Sequence, residues 1–323
     1  MTIFLCLAAV ICILLLITLY VYRTAFFSHP KHHTGIEDPL TGKTYGPVAE
    51  HIYRISHIMA EYPCETVTIE SDDGLKLSGR YYHLRDGAPI EILFHGYRSH
   101  AFRDCAGGHA MSRKMGYNAL VVDQRAHGDS EGRNITFGVK ERLDCLRWAQ
   151  YAAERFPDSP IILCGASMGA ATVLMATGLN LPGNVVCVVA DSPYSTPSAI
   201  IEKVCKDMHY PVALCRPFIH LAARLFGGFR LNSCTAKEAV SHTDIPILLL
   251  HGENDQMVPC PMSREIADSG AGSVELHTFP GAGHVLCYIS DPRRYERITC
   301  RFLLSIPRLQ GTISEEFLSS LGL

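Results

Sequence analysis

The chain opens on an almost wholly apolar, uncharged run over residues 3–22. At about 1.5 Å per residue, a helix of that length reaches about 30 Å, the thickness of a bilayer's hydrocarbon core. A helix that is apolar on every face suits lipid better than one side of a protein core. Met1 and Thr2 precede the run, and Arg23, Thr24 and bulky aromatic residues follow it. The basic lead and small-residue cut site of a cleaved signal peptide are therefore missing. Leu5 and Ile11 before Cys6 and Cys12 also speak against a lipoprotein cysteine. The pattern predicts an uncleaved transmembrane anchor over 1–23. Arg23, Lys31 and Lys43 all lie on its C-terminal side, so the positive-inside tendency puts the following domain in the cytoplasm.

Beyond the anchor the period changes repeatedly. Residues 24–47 include a stretch rich in His, Pro, Gly and Lys and read as a solvated linker, with no metal site expected from its histidines. Residues 48–62 carry helical spacing, with Ile52, Ile55, Ile58 and Met59 on one side. Alternation over 65–70, a turn at Ser71-Asp72-Asp73-Gly74 and alternation over 75–82 predict a hairpin. Short continuous apolar runs follow at 90–94, 119–122, 161–164, 185–190 and 245–250, separated by helical stretches, and 274–279 reads as a last strand. Apolar strands alternating with helices indicate an α/β fold whose mostly parallel sheet is covered on both faces. About 50 residues between the strands ending at Asp191 and starting at Ile245 lack strand character but hold many apolar positions. They are too long for a plain loop and read as a helical cap over about 194–243. The domain itself is expected over 48–323.

Composition narrows the classes. The net charge is −3, and acids and bases are spread along the chain, which gives a nucleic-acid partner no electrostatic support. Thirteen cysteines are scattered without a C-x-x-C pair, a pattern of free thiols in a reducing compartment rather than of a zinc or redox motif.

The chemistry concentrates at Gly165-Ala166-Ser167-Met168-Gly169, between an apolar strand and a small-residue helix. A sharp turn there needs small residues at Gly165 and Gly169 and lifts the Ser167 hydroxyl out of the sheet. A serine becomes a nucleophile only when a base takes its proton, and a carboxylate must orient that base. After the next strands come Asp255, in a loop following Leu249-Leu250-His251-Gly252, and His284, in the glycine-rich loop Pro280-Gly281-Ala282-Gly283. The order Ser167, Asp255, His284 is the one expected of a strand-turn-helix nucleophile. Glu253 and Asp191 are rival acids. Glu253 is longer and earlier in its loop, and Asp191 reads as shaping the cap entrance or binding backbone. The oxyanion hole is expected from the backbone N–H groups of Met168 and Tyr97, the latter in His95-Gly96-Tyr97-Arg98 after an early strand. His95 reads as structural, and Asp123 to Ser130 as a hydrogen-bonded loop buttressing the site.

Taken together, these residues resemble the α/β-hydrolase superfamily, most closely its serine-aminopeptidase-like branch. The resemblance rests on His95-Gly96-Tyr97, Asp123 to Gly128, Gly165 to Gly169, Asp255 and His284, and it spans about 67–304. It implies a serine hydrolase of the carboxylesterase, lipase, thioesterase or peptidase kind that works without cofactor or metal. The apolar cap points to an apolar acyl or alkyl group, and the anchor to esters near lipid. Two other readings stay open. One is an aminopeptidase-type amide hydrolase, which needs an acidic pocket group for the substrate amine; Glu202, Asp207 and Glu238 are the candidates in the cap. The other is a catalytically idle membrane-bound interaction module.

Overall fold

A computed structural model of the chain describes residues 1–28, 42–270 and 274–323. Eight strands form one sheet in the order β1-β2-β4-β3-β5-β6-β7-β8. The strands are β1 (Glu65–Glu70), β2 (Lys76–Tyr82), β3 (Ile90–Phe94), β4 (Asn118–Val122), β5 (Ile161–Ala166), β6 (Val185–Asp191), β7 (Ile247–Gly252) and β8 (Val274–Phe279). β2 runs antiparallel to β1 and β4, and every pairing from β4 through β3 to β8 is parallel. The apolar runs predict these strands to within two residues at each end.

The parallel strands bury both faces, which is why they read as continuous rather than alternating. Ile92, Leu163, Val188 and Leu249 point into one core, while Leu93, Ile162, Val189 and Leu250 point into the other. The helices named next are α1 (Thr2–Ala25), α2 (Ala49–Glu61), α3 (Ala106–Met115), α4 (Glu141–Arg155), α5 (Met168–Ala176), α6 (Pro197–Asp207), α7 (Val212–Leu225), α8 (Ala236–Val240), α9 (Pro261–Ser269) and α10 (Pro292–Ser305). Trp148 of α4, Leu174 of α5, Ala222 of α7 and Ile266 of α9 fill the first core. Met59 of α2, Met115 of α3 and Leu303 of α10 fill the second. α6, α7 and α8 occupy the stretch read as a cap.

Two sequence expectations differ from the structure. On α2, Ile52, Ser56 and Met59 are buried, whereas Ile58 is exposed. At 3.6 residues per turn, Ile58 stands well around the helix from Ile52 and Met59 and never shared their face. The second difference lies at 24–28, the head of the expected linker. Helix α1 continues to Ala25, Phe26 is fully buried, and Phe27 bridges to Asn134. The aromatic pair Phe26-Phe27 is apolar enough to be drawn into the domain. The histidine-rich part of that stretch lies outside the described residues. Residues 2–17 of α1 are exposed throughout, and from Thr18 onward the helix packs on the domain, with the Tyr22 and Phe226 rings 5.5 Å apart.

Candidate active site

The C-terminal ends of the parallel strands meet at one edge of the sheet. Phe94 lies opposite Val122 and Gly165, Ala166 opposite Asp191, and Gly252 opposite Phe279. Loops from five of these ends build the site.

Ser167 sits between β5 and α5 with φ 55° and ψ −114°, a strained conformation for a residue with a side chain. Its N–H donates to the Asp191 carbonyl at 2.9 Å. The two glycines around it are required by close backbone approach. A Cβ on Gly165 would stand 2.3 Å from the Gly169 carbonyl, and one on Gly169 only 2.1 Å from the Phe94 carbonyl oxygen. The turn is thus wedged against the end of β3.

Three side chains come together here. The Ser167 Oγ lies 2.8 Å from His284 Nε2, and His284 Nδ1 lies 2.6 Å from Asp255 Oδ2. The other carboxylate oxygen, Oδ1, accepts the Met257 and Val258 N–H groups, each at 2.8 Å. His251 makes a second imidazole contact, with its Nε2 3.3 Å from Asp255 Oδ2. Burial alone would raise the Asp255 pKa, but the His251 and His284 hydrogen bonds and the Val258 N–H outweigh it and hold the carboxyl well below the usual range. The acid and histidine loops also fix each other. Glu253 N–H donates to the Phe279 carbonyl and Asn254 N–H to the Ala282 carbonyl, both at 3.0 Å. A Cβ on Gly252 would stand 2.4 Å from the same Ala282 oxygen.

The rival acids lie elsewhere. The exposed Glu253 carboxylate accepts the Thr278 hydroxyl at 2.7 Å. Asp191 is buried and pushed up to about 6 by desolvation, against a hydrogen bond from the Ser192 hydroxyl. Glu202 pairs with Arg216 and Asp207 with Lys203. Glu238 is exposed, and none of these three cap carboxylates lines the cavity beside Ser167.

The loop after β3 faces Ser167. A Cβ on Gly96 would lie 3.4 Å from Ser167 Cβ and 2.9 Å from an Asp104 carboxylate oxygen, so a side chain there would push the loop off the serine. Gly96 N–H already donates to that Asp104 oxygen at 2.9 Å. Among the described residues, Tyr97 N–H has no acceptor. Met168 opens α5, where the first-turn N–H groups have no intrahelical partner. His95 is fully buried beneath this loop, with Nδ1 2.8 Å from the Gly96 carbonyl and Nε2 accepting Gln124 N–H at 3.0 Å. Burial lowers its pKa to about 4 and so keeps it neutral. The loop from Asp123 to Ser130 is held by ion pairs. Arg80 reaches Asp123 at 3.1 Å, and Arg125 reaches Asp144 at 2.5 Å and Asp73 at 3.0 Å.

A cavity of about 380 Å³ opens beside Ser167 and His284 and runs between β3 and the helices α2 and α3. Ile52, Ile55, Leu93, Met111, Val189 and Leu286 give it apolar walls. Its polar lining includes Glu91 and Thr299, both buried. Burial pushes Glu91 up to about 7, although hydrogen bonds from the Ser112 hydroxyl and the Cys164 thiol oppose the shift. Thr299 Oγ1 has no hydrogen-bond partner among the described residues. Sequence reasoning missed Glu91, Asp104, His251 and Tyr45, which also lines the cavity. A lone carboxyl inside the apolar run 90–94 was the one available signal.

The sheet order, the strand-turn-helix serine and the loop order together define a fold family. A family model described as serine aminopeptidase, S33, matches residues 89–229. The chain has the α/β-hydrolase fold, and over residues 89–229 it is similar to the serine hydrolases of that fold. The chain is similar in structure to an esterase of Pyrococcus furiosus, Pf2001, with a TM-score of 0.64 and 23% identity, covering 87% of this chain and 98% of that one. It is 27% identical over 238 residues to a monoacylglycerol lipase of Mycolicibacterium smegmatis, covering 62% of this chain and 82% of the relative. It is also 27% identical over 212 residues to the lysophosphatidylserine lipase ABHD12 of Danio rerio, where the match covers 62% of this chain and 50% of that longer protein.

Proposed function

We propose that this α/β-hydrolase cleaves carboxylic esters or thioesters of apolar acyl groups, with Ser167 as nucleophile, His284 as base and Asp255 as its orienting acid. The observation that carries this reading is the hydrogen-bonded relay from Ser167 Oγ through His284 to Asp255 Oδ2, at 2.8 and 2.6 Å. His284 Nε2 takes the Ser167 proton as Oγ attacks the acyl carbon. The carbonyl oxygen becomes an oxyanion facing the Tyr97 and Met168 N–H groups. Collapse of that intermediate breaks the bond to the alcohol or thiol, which leaves with the proton held by His284. Water then gives a proton to His284 as it attacks the acyl carbon, and His284 returns that proton to Ser167 Oγ as the acyl–oxygen bond breaks and the acid leaves.

The apolar walls of the cavity support an acyl chain as occupant. Relatives named as an esterase and as lipases agree with ester chemistry. Amide hydrolysis at an N-terminal amine is favoured less. Glu91 lines the cavity, and burial pushes it up to about 7, so near neutral pH much of it carries no charge for an ammonium. α1 is long and apolar enough to span a bilayer and reads as an anchor, with Arg23 supporting a cytoplasmic domain. α7 supports a membrane-facing cap, because Leu214, Leu221 and Leu225 form an exposed stripe along it.

Labelling with a fluorophosphonate tests the nucleophile. The wild type should label, and Ser167→Ala should not, with hydrolysis falling by about 10⁵-fold or more. A wild type that does not label is an idle module. A panel of p-nitrophenyl esters tests the substrate class. Rates should rise with acyl length before falling, and equal rates for short polar and long acyl esters would remove the apolar-acyl claim.

A further inference from the structure

The C-terminal turn of α1 is joined to the loop after β3 by bonds that a plain tether does not need. Tyr97 Oη donates to the Ala25 carbonyl at 2.8 Å. One guanidinium nitrogen of Arg98 donates to the Thr24 carbonyl at 2.7 Å and to the Phe27 carbonyl at 3.1 Å. Carbonyls at a helix end lack intrahelical donors, and a cation there meets the negative end of the helix dipole. The same turn is pinned from a second side. Ile135 N–H donates to the Phe26 carbonyl and Ser28 N–H to the Arg133 carbonyl, both at 2.8 Å. The Phe26 ring stands edge-on to Phe137 and Phe229, at 5.8 and 5.4 Å between centroids.

Tyr97 and Arg98 are also the residues that need holding. The Tyr97 ring stacks on Phe137 at 5.0 Å. Arg98 has φ 50°, in the left-handed region, and its N–H donates to His127 Nε2 at 3.0 Å. Immediately before them, Gly96 abuts Ser167. The segment is therefore clamped between the buttress loop and the end of α1, with the Tyr97 N–H, which has no acceptor among the described residues, in between. A backbone donor stabilises an oxyanion only as far as it is already aimed before charge develops.

We propose that residues 24–27, at the end of α1, are a positioning element of the oxyanion loop: their carbonyls hold the Tyr97 and Arg98 side chains and so aim the Tyr97 N–H. The inference rests on the roles given above to Ser167 and Tyr97. It makes the seating of α1 part of the rate, in addition to its role in location.

The test uses the full chain in detergent micelles, with p-nitrophenyl butyrate as the probe. Tyr97→Phe keeps the ring and the backbone N–H, and Arg98→Met keeps the aliphatic stem. The double variant should lose about tenfold or more in kcat. KM should stay within about twofold, as expected when an interaction serves the transition state alone. Arg98→Lys, which retains one donor, should recover part of the loss. The proposal is overturned by a double variant with unchanged kcat. It is equally overturned by a loss that follows the fall in thermal midpoint and is not recovered by lysine. A wild type unlabelled at Ser167 removes the functional reading and this inference together, whereas a labelled wild type with an unaffected double variant removes this inference alone.

Discussion

His251 Nε2 lies 3.3 Å from the same Asp255 oxygen that His284 engages. Its own geometry fixes the proton. Nε2 also lies 2.9 Å from the Val258 carbonyl, so it carries the hydrogen, and Nδ1 accepts the Ser263 hydroxyl at 2.6 Å. His251 therefore donates to the acid and holds it in place for His284. Replacing it with Phe removes one hydrogen bond to a charged group, about 1.5–3 kcal/mol. The expected outcome is a fall in kcat of about tenfold or more with KM little changed, measured on a soluble ester. Asp255→Asn should cost far more, about 10⁴-fold, since the wrong tautomer of His284 then faces Ser167.

The backbone crossing at Ser167 predicts an asymmetric glycine series. Gly169→Ala puts a methyl into the Phe94 carbonyl, where neither side can yield without moving β3 or α5. It should cost about 4 kcal/mol or more, read as a drop of roughly 10 °C in thermal midpoint or as failure to fold. Gly107→Ala, in α3 with open space around it, should instead stabilise by about 0.5–1 kcal/mol. Equal midpoints for the two variants would show that the crossing is not tight.

Glu91 predicts a pH dependence of stability. Burial raises its folded pKa to about 7, above the ordinary value of 4.5. Between those values the folded state binds the extra proton, so stability falls as pH rises from about 4.5 to about 7 and then levels off. Glu91→Gln should flatten that slope. At pH 8 the variant should equal or exceed the wild type in chemical-denaturation midpoint, and a wild-type slope that survives the substitution would contradict the assignment.

The apolar stripe of α7 predicts a split between substrates. Leu214 is 68% exposed and absent from the cavity lining, so Leu214→Asp should leave hydrolysis of a water-soluble ester unchanged. Hydrolysis of a long-chain ester presented in phosphatidylcholine vesicles should fall several-fold, because a charge at a membrane interface weakens insertion. Equal loss on both substrates would place the effect in folding instead.

Much of this is legible in the amino-acid sequence. The strand runs and the five residues around Ser167 each carry a local reason for their structure, a period or a turn that only small residues permit. What stayed hidden depends on partners distant in sequence. Glu91 gains meaning only when Ser112 and Cys164 come to its side chain. Nothing near Asp104 says that its carboxylate will cap Gly96. Phe26 reads as the start of a linker until Phe137 and Phe229 surround it. Counting apolar residues puts Ile58 on the buried face of α2, whereas their angle around the helix puts it outside.

All thirteen cysteines are free, and eight of them are buried. Burial pushes the Cys300 thiol, for one, up to about 12, which suppresses the reactive thiolate. Outside α1, Cys64 is the single exposed thiol. A maleimide added to the protein in lipid would therefore mark Cys64 first, the half-buried Cys205 and Cys215 next, and the eight buried thiols only through opening of the fold. Mass spectrometry of the adducts would serve as a clock for that opening in turbid vesicle suspensions, where optical melting curves fail.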